Sequence, residues 1–288
     1  VMFGIFDRIT EYFKEILLEI INSNFEGMFI DINDKVTLVA GEVSKSPSSF
    51  NGAVFEFVKN INDKVIIPIA GLIITAVLCL ELINIVMRKN NMHEVDTFEF
   101  FKYVIKMWVA VFLVTHAFDF AMATFDLAQD IINKAAGVIN TSAVISKDEI
   151  LALTQSLKDK GLGELIAIVL ETSLVKILVQ GVAILIMIIT YGRMFEIYVY
   201  CSVSPIPFAT MTNREWGSIG NNYIKGLFAL GLQGLFLMIC LGIYAVLIKT
   251  VNITDIHLSL FSLLGYTILL GLMMLKSGSL AKSILNAH

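Results

Sequence analysis

Charge is scarce in this chain. Only 16% of its 288 residues are Asp, Glu, Lys or Arg, while 57% are hydrophobic. Soluble domains carry about a quarter charged residues, so this composition excludes an ordinary water-soluble fold and implies a polytopic membrane protein. The mean hydropathy of +0.79 points the same way. Basic residues are not in excess: the formal net charge is −4, with no cationic arm, which argues against a direct reader of nucleic-acid sequence. Cysteine is nearly absent. Cys79, Cys201 and Cys240 sit in apolar runs at no metal-ligand spacing and read as small core residues.

Chemical motifs are missing too. There is no GxxxxGK[ST] to cradle phosphates, no HExxH, no Cys/His ligand spacing and no serine in a nucleophile elbow. No catalytic, cofactor-binding or metal-binding residue is therefore assigned, and an enzyme is not expected. Proline is as sparing, at four residues, and two of these stand one residue apart in the run YGRMFEIYVYCSVSPIPFATMTNREW, from Tyr191 to Trp216. Pro205 and Pro207 lack an amide hydrogen and disfavour helix at Ser204 and Ile206, so a helix arriving here must end or bend. Upstream, Arg193 and Glu196 are three apart and share a helical face, which makes them an ion-pair candidate. An unpaired charge in an apolar helix costs about 2.5–3.5 kcal/mol on insertion scales. Two readings follow: a helix terminus at the membrane surface with a snorkelling arginine, or an element that packs against a partner.

The fold expected is all-α, a transmembrane helical bundle of about five spans, with six as the alternative. It is preceded by an amphipathic N-terminal helix. Val1 to Ile21 shows Phe3, Phe6, Ile9, Phe13, Ile16, Leu17 and Ile20 at helical spacing, with Asp7, Glu11, Lys14, Glu15 and Glu19 opposite. Its acidic polar face favours a packing helix over an anchor to anionic lipid. Residues 22–64 read as mixed and polar, with a second amphipathic helix from about Phe50 that uses Val54, Phe57, Val58 and Ile61. Residues 1–64 form one extracytoplasmic region and 65–288 the membrane domain. Spans are expected at about 65–87, 103–127, within 165–211, at 223–248 and at 258–275. Pro68 falls in the first turn of the first span and Arg88-Lys89 close it. An extracytoplasmic loop at 128–163 contains a capping box, Ser146 to Glu149. The apolar run from Leu165 to Met211 either crosses once and continues along the interface or crosses twice with a turn at Gly192-Arg193.

Charge selects between these. A single crossing puts the basic residues of 88–106, Arg193, Arg214, Lys225 and the tail lysines on one side, as the positive-inside tendency requires. The N-terminus is then outside and the C-terminus inside. Gly226, Gly231, Gly234 and Gly242 mark the fourth span as one whose backbone lets neighbours approach closely. Glu81, His116 and Asp119 are the intramembrane polar groups that could carry a mechanism. His116 and Asp119 can pair at i, i+3, in a stripe with Thr115, Met122, Ala123 and Asp126 that belongs toward protein or a water-filled cavity. They read either as a polar conduit or proton relay, or as groups that satisfy one another across the bundle.

The residues Arg193–Glu196, Ser204-Pro-Ile-Pro-Phe-Ala209 and Asn213-Arg-Glu-Trp-Gly-Ser-Ile-Gly-Asn-Asn-Tyr223 resemble the TrbL-type polytopic membrane component of type IV secretion and conjugation systems. The likeness is to the version carried by conjugative elements of low-GC Gram-positive bacteria, and it continues through Leu227-Phe-Ala-Leu-Gly-Leu-Gln-Gly234. This resemblance implies a scaffold in the cytoplasmic membrane, assembled as a homo-oligomeric ring with a pentamer as the suggested form. It would sit in membrane lipid and work beside conjugation ATPases, a coupling protein and an outward-facing partner, helping DNA or protein substrate to cross. It also implies that Arg193, Glu196, Pro205, Pro207, Trp216, Gly231 and Gly234 form an assembly motif. The net acidic chain departs from what a DNA path would lead one to expect. The competing classes are an ion-coupled transporter built on His116, Asp119 and Glu81, and a membrane immunity protein. The lack of a second proline break in the N-terminal half counts against a carrier with paired broken helices. Cysteine labelling checks the topology: Asn140→Cys should react from outside and Ser218→Cys from inside, and both on one side means six crossings.

Overall fold

The computed structural model describes residues 3–87, 97–138, 155–213, 215–251 and 255–287. Among these, all regular structure is helical and no strand is present. The amphipathic start does not stop at Ile21 but continues as α1, Phe3–Val43. No proline interrupts it before Pro47, and Gly27 and Gly41 each cost a helix interior only about 1 kcal/mol. Ile21, Phe25, Met28 and Phe29 recur at helical spacing and are buried, which offsets that cost.

Pro47–Phe50 forms α2, capped by Ser46, and Gly52–Ile61 forms α3, where Asn51 Oδ1 accepts the Val54 amide at 3.1 Å. The inward face of α3 is narrower than expected. Val58 is buried but Phe57 is 65% exposed, and Phe55 instead reaches the core, 5.8 Å from the Phe118 ring. A π-helical turn, Asn62–Ile66, then leads without a break into α4, Ile67–Met87. Pro68 is thus inside a continuous helix rather than in its first turn. The π turn is the physical remedy: the Ile67 amide bonds five residues back to the Asn62 carbonyl, loosening the ladder where the proline ring would otherwise crowd it. Arg88 and Lys89 lie outside the described residues.

The second span expected at 103–127 is broken. Thr97–Thr115 is α5, Ala117–Val138 is α6, and they meet at 64°. Neither proline nor glycine stands there. Instead, the Phe112 carbonyl receives the His116 amide and the Thr115 hydroxyl, each at 3.1 Å, and His116 Nδ1 lies 3.1 Å from the same oxygen. Side chains that enter the helical ladder in this way bend it. Because α6 runs to Val138, helix replaces the first part of the loop expected from residue 128. The Ser146–Glu149 capping box and Asn140 lie outside the described residues.

Leu162–Ser202 is α7, and its 41 residues span about 60 Å at 1.5 Å each, twice the ~30 Å of a bilayer core. It passes through Gly192 and Arg193 without a turn, so it cannot cross twice. Pro205–Thr210 is α8, Gly217–Lys249 is α9 and Ile256–Leu285 is α10. Among the described residues, four helices are long and apolar enough to span a membrane, α3 to α4 counting as one, and the bent α5–α6 pair makes a fifth if it is one span. The chain is a multi-pass membrane protein.

The helices divide between two compact units interleaved along the chain, and residues 1–64 contribute to both. One comprises Val1–Val43, Lys134–Thr190 and Phe236–Lys276. Within it, the buried Asn24 amide donates to Thr172 Oγ1 at 3.2 Å and Ser173 Oγ at 3.0 Å, and its Oδ1 accepts from Lys176 at 3.4 Å. Glu171 and His257 meet at 2.6 Å. The other comprises Ser44–Asn133, Tyr191–Leu235 and Ser277–His288. Its core draws Ile74 and Leu78 from α4, Val114 from α5, Phe118 and Phe125 from α6, Met194 and Ile197 from α7, Phe208 from α8, and Leu227 and Leu230 from α9. The bend between α5 and α6 gives a direct test. Spin labels at Phe101 and Leu127 in a Thr115→Ala, His116→Leu variant should move apart by roughly 6 Å as the pair straightens, from helix rise alone.

Candidate functional site

Every α-helix ends with carbonyls that have no partner of their own, and where the end is packed over by protein no water replaces one. At the end of α7 these are the carbonyls of Val199, Tyr200, Cys201 and Ser202. Pro205 cannot donate to Cys201, nor Pro207 to Val203. Each carbonyl nevertheless has a donor. Ser202 Oγ donates to Val199 O at 2.7 Å, and the Ser204 amide to Cys201 O at 3.2 Å. The Tyr223 hydroxyl, from α9, donates to Tyr200 O at 2.6 Å. Asn62 Nδ2, from the π turn, donates to Ser202 O at 2.9 Å. The Ile206 amide reaches Val203 O at 3.1 Å. The break is thereby closed by local turns and by two side chains from distant segments.

Beyond the break, Pro205 occupies the first position of α8, where its missing donor costs nothing. Pro205 is buried and Pro207 half-buried, and α8 packs against α4 and α5. Asn213 Oδ1 then accepts the amides of Glu215 at 2.7 Å and Trp216 at 3.0 Å, which caps the start of α9. The Trp216 ring itself is exposed. Gly220 lies against α8, where a Cβ would stand 2.6 Å from Pro207 O, so only glycine fits. The rings of Tyr200 and Tyr223 stack at 4.8 Å, and the edge of Tyr223 meets Phe208 at 6.0 Å.

Arg193 and Glu196 do not pair. Arg193 is buried, and its Nε donates to Leu230 O on α9 at 3.2 Å. A Cβ on Gly234 would lie 2.5 Å from Nη2 of this guanidinium and 2.6 Å from Ile132 Cδ1. The missing side chain is what admits the arginine. Leu230 and Gly234 are four apart, so Arg193 shares a helix carbonyl that also serves the ladder, using its second lone pair. Glu196 faces outward and binds Lys282 on α10 at 3.2 Å. The shared face expected from the i, i+3 spacing is divided by the edge of the core. Among the described residues, no carboxylate pairs with Arg193.

The structure thus brings Arg193 to Gly234 and Pro207 to Gly220, while Gly231 lies against Ala128, 2.9 Å from where its Cβ would stand. Gly242 is half-buried. The three polar groups do not converge. Glu81 binds Lys106 at 2.8 Å. His116 sits at the bend and stacks on Phe112 at 4.4 Å. Asp119 is exposed in the first turn of α6 and does not meet His116. The stripe expected to face protein or a water-filled cavity lies largely on the surface of the chain, with Thr115, His116, Asp119, Ala123 and Asp126 all exposed. Among the described residues, no group of three His, Cys, Asp or Glu is placed to hold a metal. Sequence reasoning missed Asn62, Tyr200, Asn213 and Gly220 as parts of the joint. Asn213 before Trp216-Gly217 carried a readable helix-capping signal, whereas Asn62 carried none.

A family model described as TrbL/VirB6 plasmid conjugal transfer like protein matches residues 32–205. No curated protein matches, and no solved structure does. The match takes in α2 to α7 and the first proline of the break. Asn62→Leu and Tyr223→Phe should each lower stability in detergent by about 0.6 kcal/mol and by no more than about 1.7, the mean and the maximum for interhelical hydrogen bonds in a membrane protein. Gly234→Leu should cost more than either, because it expels the guanidinium. Thermal unfolding followed by circular dichroism checks all three.

Proposed function

Because this chain belongs to the TrbL/VirB6 plasmid conjugal transfer family, we propose that it is a non-catalytic scaffold or channel subunit of a type IV secretion machine for conjugative transfer. Family membership is the observation that carries the reading. In it, the chain lies in the cytoplasmic membrane with its N-terminus outside and its C-terminus inside, and its copies form a ring of about five. Conjugation ATPases and a coupling protein supply energy and substrate, an outward-facing partner continues the path, and DNA or protein crosses. The sequence holds no phosphate-cradling loop, in keeping with a subunit that builds a passage without powering it.

The exposed stripe on α6 supports an oligomer. Asp119 and Asp126 lie on the surface of the chain, within or beside a broken span. Carboxylates in that setting need protein or water rather than lipid, and a neighbouring copy or a wet central passage supplies either. The same exposure disfavours a self-contained carrier, whose ionisable groups would converge inside one chain. The joint of Arg193, Glu196, Pro205, Pro207, Trp216, Gly231 and Gly234 is assigned to assembly.

Deleting the protein from the transfer element that carries it, and measuring transfer between cells, tests the proposal. Transfer should fall to background and return with the wild-type chain. Arg193→Ala and Pro205→Ala should restore it only in part, because each loosens the joint. His116→Ala and Asp119→Asn should leave small-solute movement unaffected. Undiminished transfer in the deletion would sink the reading, and a particle containing a single copy in mild detergent would remove the ring.

A further inference from the structure

Between α6, α9 and the end of α10 lies a cleft of about 230 Å³, walled by Leu127, Ile131, Phe228, Leu232, Leu235 and Leu285. Ala128 and Gly231, the small pair through which α6 and α9 meet, line it as well. Leu127 is 58% exposed and Phe228 47%, so the cleft opens to the surroundings of the chain. In a multi-pass membrane protein those surroundings include acyl chains.

A lysine neighbours one end of the cleft without lining it. Lys225 precedes Phe228 by three residues and so shares its face of α9. Its Nζ lies 3.5 Å from the carbonyl of Asn286, the residue after Leu285. Helix spacing and this contact independently place the ammonium beside the cleft. Among the described residues, no carboxylate neutralises it, whereas the nearby Lys282 is bound to Glu196. An apolar slot with an unneutralised ammonium beside it matches a molecule with an apolar tail and an anionic head. We propose that the cleft holds an acyl chain of an anionic phospholipid whose headgroup phosphate is bound by Lys225. The inference goes beyond the transfer function and requires only that the chain is embedded in a membrane.

Native mass spectrometry of the intact protein in mild detergent tests it, with phosphatidylglycerol or phosphatidylcholine of matched acyl chains added. The wild type should retain phosphatidylglycerol about fivefold better, the factor one lysine near an anionic headgroup supplies. Lys225→Gln should bring that ratio close to one without changing the melting temperature. Leu232→Trp, which fills the cleft, should reduce retention of both lipids at unchanged helical content. Equal retention by the wild type overturns the proposal, as does a preference that survives Lys225→Gln. It also fails if Leu232→Trp changes the number of copies per particle but leaves lipid retention intact, which would give the cleft to a second copy. Should Leu232→Trp fail to fold, the Lys225→Gln ratio decides alone.

Discussion

A carbonyl left open at a helix end that is packed over by protein has nowhere to turn except to another part of the protein. That constraint organises the structure around α7. Its last turn exposes four acceptors, and the prolines that follow remove the donors a continuing helix would have provided. The replacements come from Ser202 and Ser204 nearby, from Tyr223 on α9 and from Asn62 at the start of the α4 span. Two of these donors can be in place only if distant segments are already packed. The break therefore ties three segments together, and α8 emerges with its prolines where they do no harm.

Charge is handled by the same logic. Arg193 is buried without a carboxylate, using a backbone oxygen and the space left by a missing side chain at Gly234. Glu196, one turn away, is exposed and meets a lysine. A guanidinium can share a carbonyl that already serves a helix because the oxygen has a second lone pair, whereas a buried carboxylate would need donors that a helix interior does not offer. This asymmetry is a physical reason for the arginine, rather than the glutamate, to turn inward.

Much of the architecture was legible because it depends on local composition. Apolar runs longer than 20 residues marked the spans, and Pro205 and Pro207 marked the stop of α7, since a missing amide acts wherever it is placed. The glycines of α9 announced close approach, although not what approaches. Other features depend on tertiary contacts. Spacing offered Glu196 as the partner of Arg193, and a glycine on another helix displaced it. The bend at Thr115 and His116 carries neither proline nor glycine and arises from side chains competing for one carbonyl. α1 runs on through Gly27 and Gly41 because buried residues at helical spacing outweigh two modest propensities. Asn62 gave no signal, because its role requires both the π turn and the end of α7.

The π turn has a consequence for how such chains can vary. It holds one residue more than an α-helical turn, so everything before it is rotated by about 100° from the face it would otherwise present. Removing a single residue between Asn62 and Ile66 would leave the hydropathy profile of that span almost untouched. It would still swing the Asn62 amide away from the Ser202 carbonyl and turn Val58 out of the core. Relatives of equal apolar length can thus differ in whether this joint closes, and only an alignment that keeps phase, residue by residue, would tell them apart.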